Sequence, residues 1–230
     1  GRRWNNGPRP VEPQKEGTGE DVRFIALMLD ALEGLLNIDS DRIFVTGISN
    51  GGMMSYRLGC EMSDRIAAIA PIATTRMVDP CIPAKPISVI HFHGLLDHFI
   101  PFAGGPSDES LRAAFRLLDD LMSNAEAISA FVSGRGCPTG DDGAPATTVS
   151  HTVEDAANAD DPHAQCVTYG PCDAESEVVV CTMRDGGHTW PGGAHGSDSP
   201  LVHRIVGEIS PHIDASEMMW AFFQRHPLTD

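Results

Sequence analysis

Residues 42–58 constrain this chain more than any other stretch. A short β-branched run, Arg42-Ile43-Phe44-Val45-Thr46, meets Gly47-Ile48-Ser49-Asn50-Gly51 and passes directly into Gly52-Met53-Met54-Ser55-Tyr56-Arg57-Leu58. The first reads as a strand and the last as a helix, so the chain must reverse within about five residues. Only a sharp turn does this, and its central residue is forced into a backbone conformation that L-residues rarely adopt. Side chains at the two flanking positions are expected to collide with the adjoining strand and helix, which accounts for the paired glycines. In return the Ser49 hydroxyl stands clear of the backbone, at a helix N-terminus whose N–H groups attract negative charge.

The rest of the chain alternates strands and helices. Thr18 and Asp21 read as a capping box for a helix carrying Val22, Ile25, Leu29, Leu32 and Leu36 on one face. Residues 37–41 break it. Residues 66–73 and 87–93 are short apolar runs between turn residues, the signature of buried parallel strands. An Ala- and Leu-rich stretch, 111–131, reads as one long helix, and residues 134–161 read as an extended loop or cap insertion. Two further extended runs, 163–169 and 177–183, precede a last helix capped by Asp214 and Glu217. The expected fold class is α/β, a mostly parallel sheet flanked by helices, in one domain over residues 1–230.

Composition narrows the partners. A formal charge of −16 disfavours nucleic acid and anionic membrane, because a phosphate surface would repel the chain. No window approaches the apolar length needed to span a bilayer. Part of the charge lies in Asp141, Asp142, Glu154, Asp155, Asp160 and Asp161, read as a solvated loop whose spacing matches no calcium motif. Cys60, Cys81, Cys137, Cys166, Cys172 and Cys181 form an even set without a metal-type C-x-x-C, which favours disulfides and an oxidising compartment. Fifteen pairings remain open, although Cys166 and Cys181 sit on runs that could face each other across a hairpin.

A serine on such a turn needs a base and an acid. The run 87–93 leads through Gly94-Leu95-Leu96 to Asp97, and the run 177–183 leads through Arg184-Asp185-Gly186-Gly187 to His188. Each therefore follows a strand, at the edge where open parallel sheets build their sites. The order Ser49, Asp97, His188 is that of the α/β-hydrolase triad. Ser49 would be nucleophile, His188 base, Asp97 the group orienting the imidazole, and the backbone N–H of Asn50 one oxyanion donor. Asp185 lies too near His188 in sequence to serve as the acid, and Asp79 precedes its strand. His91 and His93 alternate on one strand face and read as buried neutral imidazoles. Trp190 either lines a substrate pocket or packs its own loop.

With these residues in place the chain resembles secreted esterases of the polyhydroxybutyrate depolymerase and feruloyl esterase type, grouped with carbohydrate esterases such as acetyl xylan esterases. The resemblance rests on residues 37–54, on His91-Phe92-His93-Gly94-x-x-Asp97 with Ile100-Pro101-Phe102-x-Gly104-Gly105, and on Gly187-His188-Thr189-Trp190-Pro191-Gly192-Gly193. Trp4-Asn5 and the end, from Trp220 to His226-Pro227, are similar too. It implies serine-dependent hydrolysis of a small-molecule or polymeric ester, without metal or other cofactor, by a secreted enzyme. Trp4 and Trp190 become candidate substrate contacts, and the positions suggest Cys60–Cys81 and Cys137–Cys172, leaving Cys166–Cys181 as the hairpin pair. Family members carry further strands before the position of Trp4, including a His-Gly segment that supplies a second oxyanion donor. Nothing here matches that segment, so an incomplete N-terminal part is expected.

Two other readings use the same residues. His91, His93, Asp97 and His98 faintly resemble the H-x-H-x-D-H ligand set of metallo-β-lactamase-like hydrolases, with spacing wrong by two residues. Alternatively the chain is a non-catalytic, truncated α/β domain that keeps the turn for structural reasons. Which ester is hydrolysed, and the oligomeric state, lie beyond the sequence.

Overall fold

The structure is a computed structural model that describes residues 3–6, 20–111, 121–133, 135–140, 146–155, 158–194 and 199–228. A six-stranded sheet organises it: β1 (Phe44–Ile48), β2 (Ala68–Ile72), β3 (Ser88–Gly94), β4 (Thr147–Asp155), β5 (Asn158–Tyr169) and β6 (Val178–Met183). The strand order is β1-β2-β3-β6-β5-β4. The first four of these are parallel neighbours, whereas β5 runs antiparallel to β6 and to β4.

Strand alternation splits the core into two layers. Ile69, Val89, Val178 and Val180 face one side, with Met54, Tyr56 and Leu58 of α2 (Asn50–Glu61) and with Ala127, Ile128 and Phe131 of α3 (Asn124–Val132). Ala68, Ala70, Ile72, Ile90, Phe92, Val179, Cys181 and Met183 face the other, where the last helix packs Met219, Phe222 and Phe223. Strands buried on both faces explain the unbroken apolar runs in the sequence. Helix α1 (Glu20–Leu35) packs Val22, Ile25, Ala26 and Leu29 against the first layer. Leu36, assigned to that face by periodicity, is exposed, as are Phe24 and Leu27. The expected Thr18 cap lies outside the described residues. Among those residues β1 pairs with β2 alone and forms one sheet edge.

Two expectations change. The stretch 111–131 is not one helix. Leu121 forms an antiparallel bridge to Gly105, and Ser123 starts α3 with a capping box closed by Glu126; the reciprocal bonds satisfy helix N-terminal donors and set a new start point. Residues 134–161 are not uniformly loop, because 147–155 form β4 and β5 begins at Asn158. Disulfides join Cys60–Cys81, Cys137–Cys172 and Cys166–Cys181. The third links β5 to β6 at directly opposed positions. The final two helices are α4 (Pro200–Val206) and α5 (Ala215–Arg225), the latter capped by Asp214, whose carboxylate accepts from the Ser216 and Glu217 N–H groups.

Candidate active site

Ser49 sits between β1 and α2 with φ 57° and ψ −122°, the strained conformation its turn demands. Three bonds hold the backbone there. Ser49 N–H donates to the Ile72 carbonyl at 3.0 Å, and the Ser49 carbonyl accepts from Met53 N–H and from the Thr74 hydroxyl, both at 2.9 Å. The hydroxyl of Ser49 does not cap its own helix. The glycine requirement differs from the expectation. A Cβ on Gly47 would lie 2.6 Å from the Gly51 carbonyl carbon, and one on Gly52 would lie 2.6 Å from the Thr74 methyl, but one on Gly51 meets nothing within 4 Å. The close approach is therefore between Gly47 and the helix, and between Gly52 and the Thr74 segment after β2. Strand, sharp serine turn and helix on a parallel sheet are the α/β-hydrolase arrangement.

Asp97 and His188 follow β3 and β6, which are adjacent parallel strands, so both residues leave the sheet at the carboxyl edge that also carries Ser49. Their loops touch. Gly94 and Gly186 lie so close that a Cβ on Gly94 would overlap the Gly186 carbonyl. Leu95 N–H donates to Met183 O at 2.7 Å and Leu96 N–H to Gly186 O at 2.9 Å. These contacts bring His188 Nδ1 to 2.8 Å from Asp97 Oδ2. The other oxygen, Oδ1, accepts from Phe99 N–H at 2.9 Å and Ile100 N–H at 2.8 Å. The carboxylate is thus buried, fully bonded and unable to turn. Because Nδ1–H donates to it, Nε2 of a neutral His188 carries the lone pair. Phe99 stacks on the imidazole at 4.9 Å between ring centres and shields one face from water.

A buried polar chain braces this pair from below. Ile100 O can only accept, so His93 Nε2–H donates to it at 2.8 Å, leaving His93 Nδ1 as acceptor. His91 Nε2–H then donates to His93 Nδ1 at 3.0 Å, and Tyr56 O–H donates to His91 Nδ1 at 3.0 Å. Asn124 Nδ2–H also donates to His93 Nδ1, at 3.2 Å. Burial pushes both histidines below the ordinary imidazole range, His91 well below, and the His93 imidazole beside His91 adds to its shift. Burial pushes the Tyr56 phenol up. Every member stays neutral, and the chain ends at the residue whose N–H holds Asp97.

The two tryptophans differ. Trp4 N–H donates to Asn50 Oδ1 at 2.8 Å and Asn50 Nδ2 donates to Trp4 O at 3.2 Å, so the residue after Ser49 grips the backbone of Trp4 through its side chain. The sequence motif points to the backbone of Asn50 alone, and its side chain adds this second contact. Trp190 donates its indole N–H to Ser216 Oγ at 3.1 Å and packs on the α5 side of the core, which seats the 188–193 loop. Asp79 is exposed beside Arg76, and Asp185 faces His212 at 3.2 Å. His91, His93, Asp97 and His98 do not converge as metal ligands: all four imidazole nitrogens of His91 and His93 are engaged within the protein, and His98 is exposed. Among the described residues one other set does converge, His163, Asp185 and His212. Its members lie far apart in sequence and carry no motif.

The chain is similar to proteins named as esterases. The chain is 29% identical over 222 residues to NocK, named as an esterase, from Nocardia uniformis subsp. tsuyamanensis, covering 93% of this chain and 60% of the relative. It is 28% identical over 203 residues to feruloyl esterase B of Piromyces equi, covering 86% and 33%. A bifunctional acetylxylan esterase/xylanase of Neocallimastix patriciarum is 22% identical over 174 residues, covering 76% and 22%. The chain therefore spans 60% or less of the length of these relatives. No protein-family model matches.

Proposed function

We propose that this chain is a serine-dependent carboxylic ester hydrolase working through Ser49, His188 and Asp97. The carrying observation is the Asp97–His188 hydrogen bond, with a carboxylate locked at both oxygens, on the sheet edge where Ser49 is held at positive φ. Ser49 Oγ attacks the ester carbonyl carbon while its proton passes to His188 Nε2. Asp97 holds the tautomer and stabilises the imidazolium. The tetrahedral oxyanion accepts the Asn50 N–H at the start of α2. Collapse breaks the bond to the alcohol oxygen, which takes the proton from His188. Water then attacks the acyl-serine by the same route, releasing the acid and restoring Ser49.

Feruloyl and acetylxylan esterases among the relatives support a plant cell-wall ester as substrate, a feruloyl or acetyl ester, with a hydroxybutyrate polyester as the other class that the same three residues could serve. Three disulfides support secretion into an oxidising compartment. The grip of Asn50 on Trp4 supports Trp4 as a wall of the substrate site, with Trp190 seating the His188 loop. The test is turnover of a p-nitrophenyl short-chain ester. Ser49→Ala should lower kcat on the order of a millionfold; wild-type turnover in that variant would refute the assignment. Side-by-side rates on methyl ferulate, acetylated xylan and polyhydroxybutyrate film then rank the substrate classes.

A further inference from the structure

We propose that His163, Asp185 and His212 form a binding site for a zinc-class divalent metal ion, which fastens the loop carrying His188. One donor atom from each residue lies within 4.8 Å of the others. His212 Nε2 and Asp185 Oδ2 are 3.2 Å apart, close to the roughly 3.3 Å between neighbouring ligands on a tetrahedral ion bound at about 2.0–2.1 Å. The third donor, within 4.8 Å of the other two, needs to close by at most roughly 1.5 Å, within reach of side-chain rotation. The His163 and His212 rings are stacked at 4.2 Å with planes 10° apart, so they enter side by side from two segments. Two imidazoles and one carboxylate suit zinc, cobalt or nickel; calcium and magnesium take oxygen ligands. Solvent completes the coordination, because the Asp185 and His212 side chains remain 41% and 25% exposed.

A second observation points the same way. Asp185 Oδ1 is buried and accepts no hydrogen bond, one of three such side-chain atoms among the described residues. A carboxylate with one oxygen paired to a histidine and the other orphaned bears a desolvation cost that a bound cation offsets.

Position gives the site its consequence. His163 lies on β5, and its carbonyl accepts the Arg184 N–H at 2.9 Å, next to Asp185. Asp185 opens the loop that reaches His188 three residues later. His212 belongs to the facing 207–214 segment. That segment and the end of α4 accept three N–H groups from the loop: Gly187 to Glu208 O, His188 to Val206 O and Gly192 to Ser210 O. The ion would tie β5, the exit of β6 and the facing segment at one point, reinforcing the backbone bonds that place the imidazole. The site stands whether or not the ester reading is correct, because its readouts are metal stoichiometry and thermal stability.

The whole chain, stripped with EDTA and dialysed, is titrated with zinc chloride by calorimetry and melted with and without zinc. Expected are one equivalent bound and a melting point raised by roughly 5–10 °C at a hundredfold excess over Kd. Asp185→Asn and His212→Gln should each weaken binding at least about tenfold, each judged against its own metal-free melt. Should one fail to fold, His163→Gln provides the same comparison. Absence of a one-to-one complex tighter than about 100 µM, or variants that bind zinc like the parent, would overturn the proposal.

Discussion

Two carboxylate–histidine pairs stand on either side of the β6 exit, and they are built differently. In the Asp97–His188 pair the carboxylate is buried, one oxygen accepts two backbone N–H groups, and the other faces Nδ1 at 2.8 Å. In the Asp185–His212 pair the carboxylate is 41% exposed, the contact is 3.2 Å, and Oδ1 has no partner. A fully bonded carboxylate fixes one imidazole tautomer and can stabilise positive charge on that ring without accepting its proton. A half-bonded one beside a second histidine leaves an oxygen unpaired, which is the ground for the proposed cation site. Distance alone would not separate the two pairs; the bonding of the second oxygen does.

The largest expected contrast is catalytic. Asp97→Asn should lower kcat for a p-nitrophenyl ester on the order of ten-thousandfold, through loss of the productive tautomer. Asp185→Asn should cost less than about tenfold, since an exposed pair is worth at most about 1 kcal/mol. Steady-state rates of the two variants decide this, and equal losses would erase the distinction.

Next in size is the turn. Gly47→Ala and Gly52→Ala force backbone or Thr74 contacts near 2.6 Å, so each should destabilise by roughly 1–3 kcal/mol or more. Gly51→Ala, with open space, should change stability by less than about 1 kcal/mol. Urea midpoints of the three variants order them, and a Gly51 variant as damaged as the Gly47 variant would contradict the turn described here.

A smaller effect comes from the histidines beneath Asp97. His91 and His93 have folded pKa values below the unfolded imidazole value near 6.5. The unfolded chain therefore binds protons that the folded one refuses. Unfolding free energy should fall as pH drops below about 6.5, by up to roughly 1.4 kcal/mol per pH unit for each histidine. His91→Gln should remove one proton from that slope, read from denaturant titrations between about pH 6.5 and 5. An unchanged slope would mean that His91 is not held neutral.

Much of this was legible in the sequence because each feature had a local cause. Strands buried on both faces wrote themselves as apolar runs, and Ser49, Asp97 and His188 each followed one. Where local cause was weak, reading failed. Ser123 and Glu126 carried a capping box inside an Ala- and Leu-rich run, and the run masked it. Strand β4 is polar and pairs only with β5 among the described residues, so it lacked an apolar signature and read as loop. Gly51 looked equivalent to Gly47, yet only the path of the following helix decides which Cβ collides. The Tyr56–His91–His93 chain and the His163–Asp185–His212 cluster join segments remote in sequence, and nothing local announces either.

The central claim is that Ser49 is a nucleophile activated by the Asp97–His188 pair. Labelling the intact protein with a fluorophosphonate and locating the adduct by peptide mass spectrometry tests it most directly. The account predicts a single adduct on Ser49, formed at a rate that collapses in His188→Ala and Asp97→Asn but persists in Asp185→Asn. A folded protein that stays unlabelled, or one labelled equally fast without His188, would contradict it.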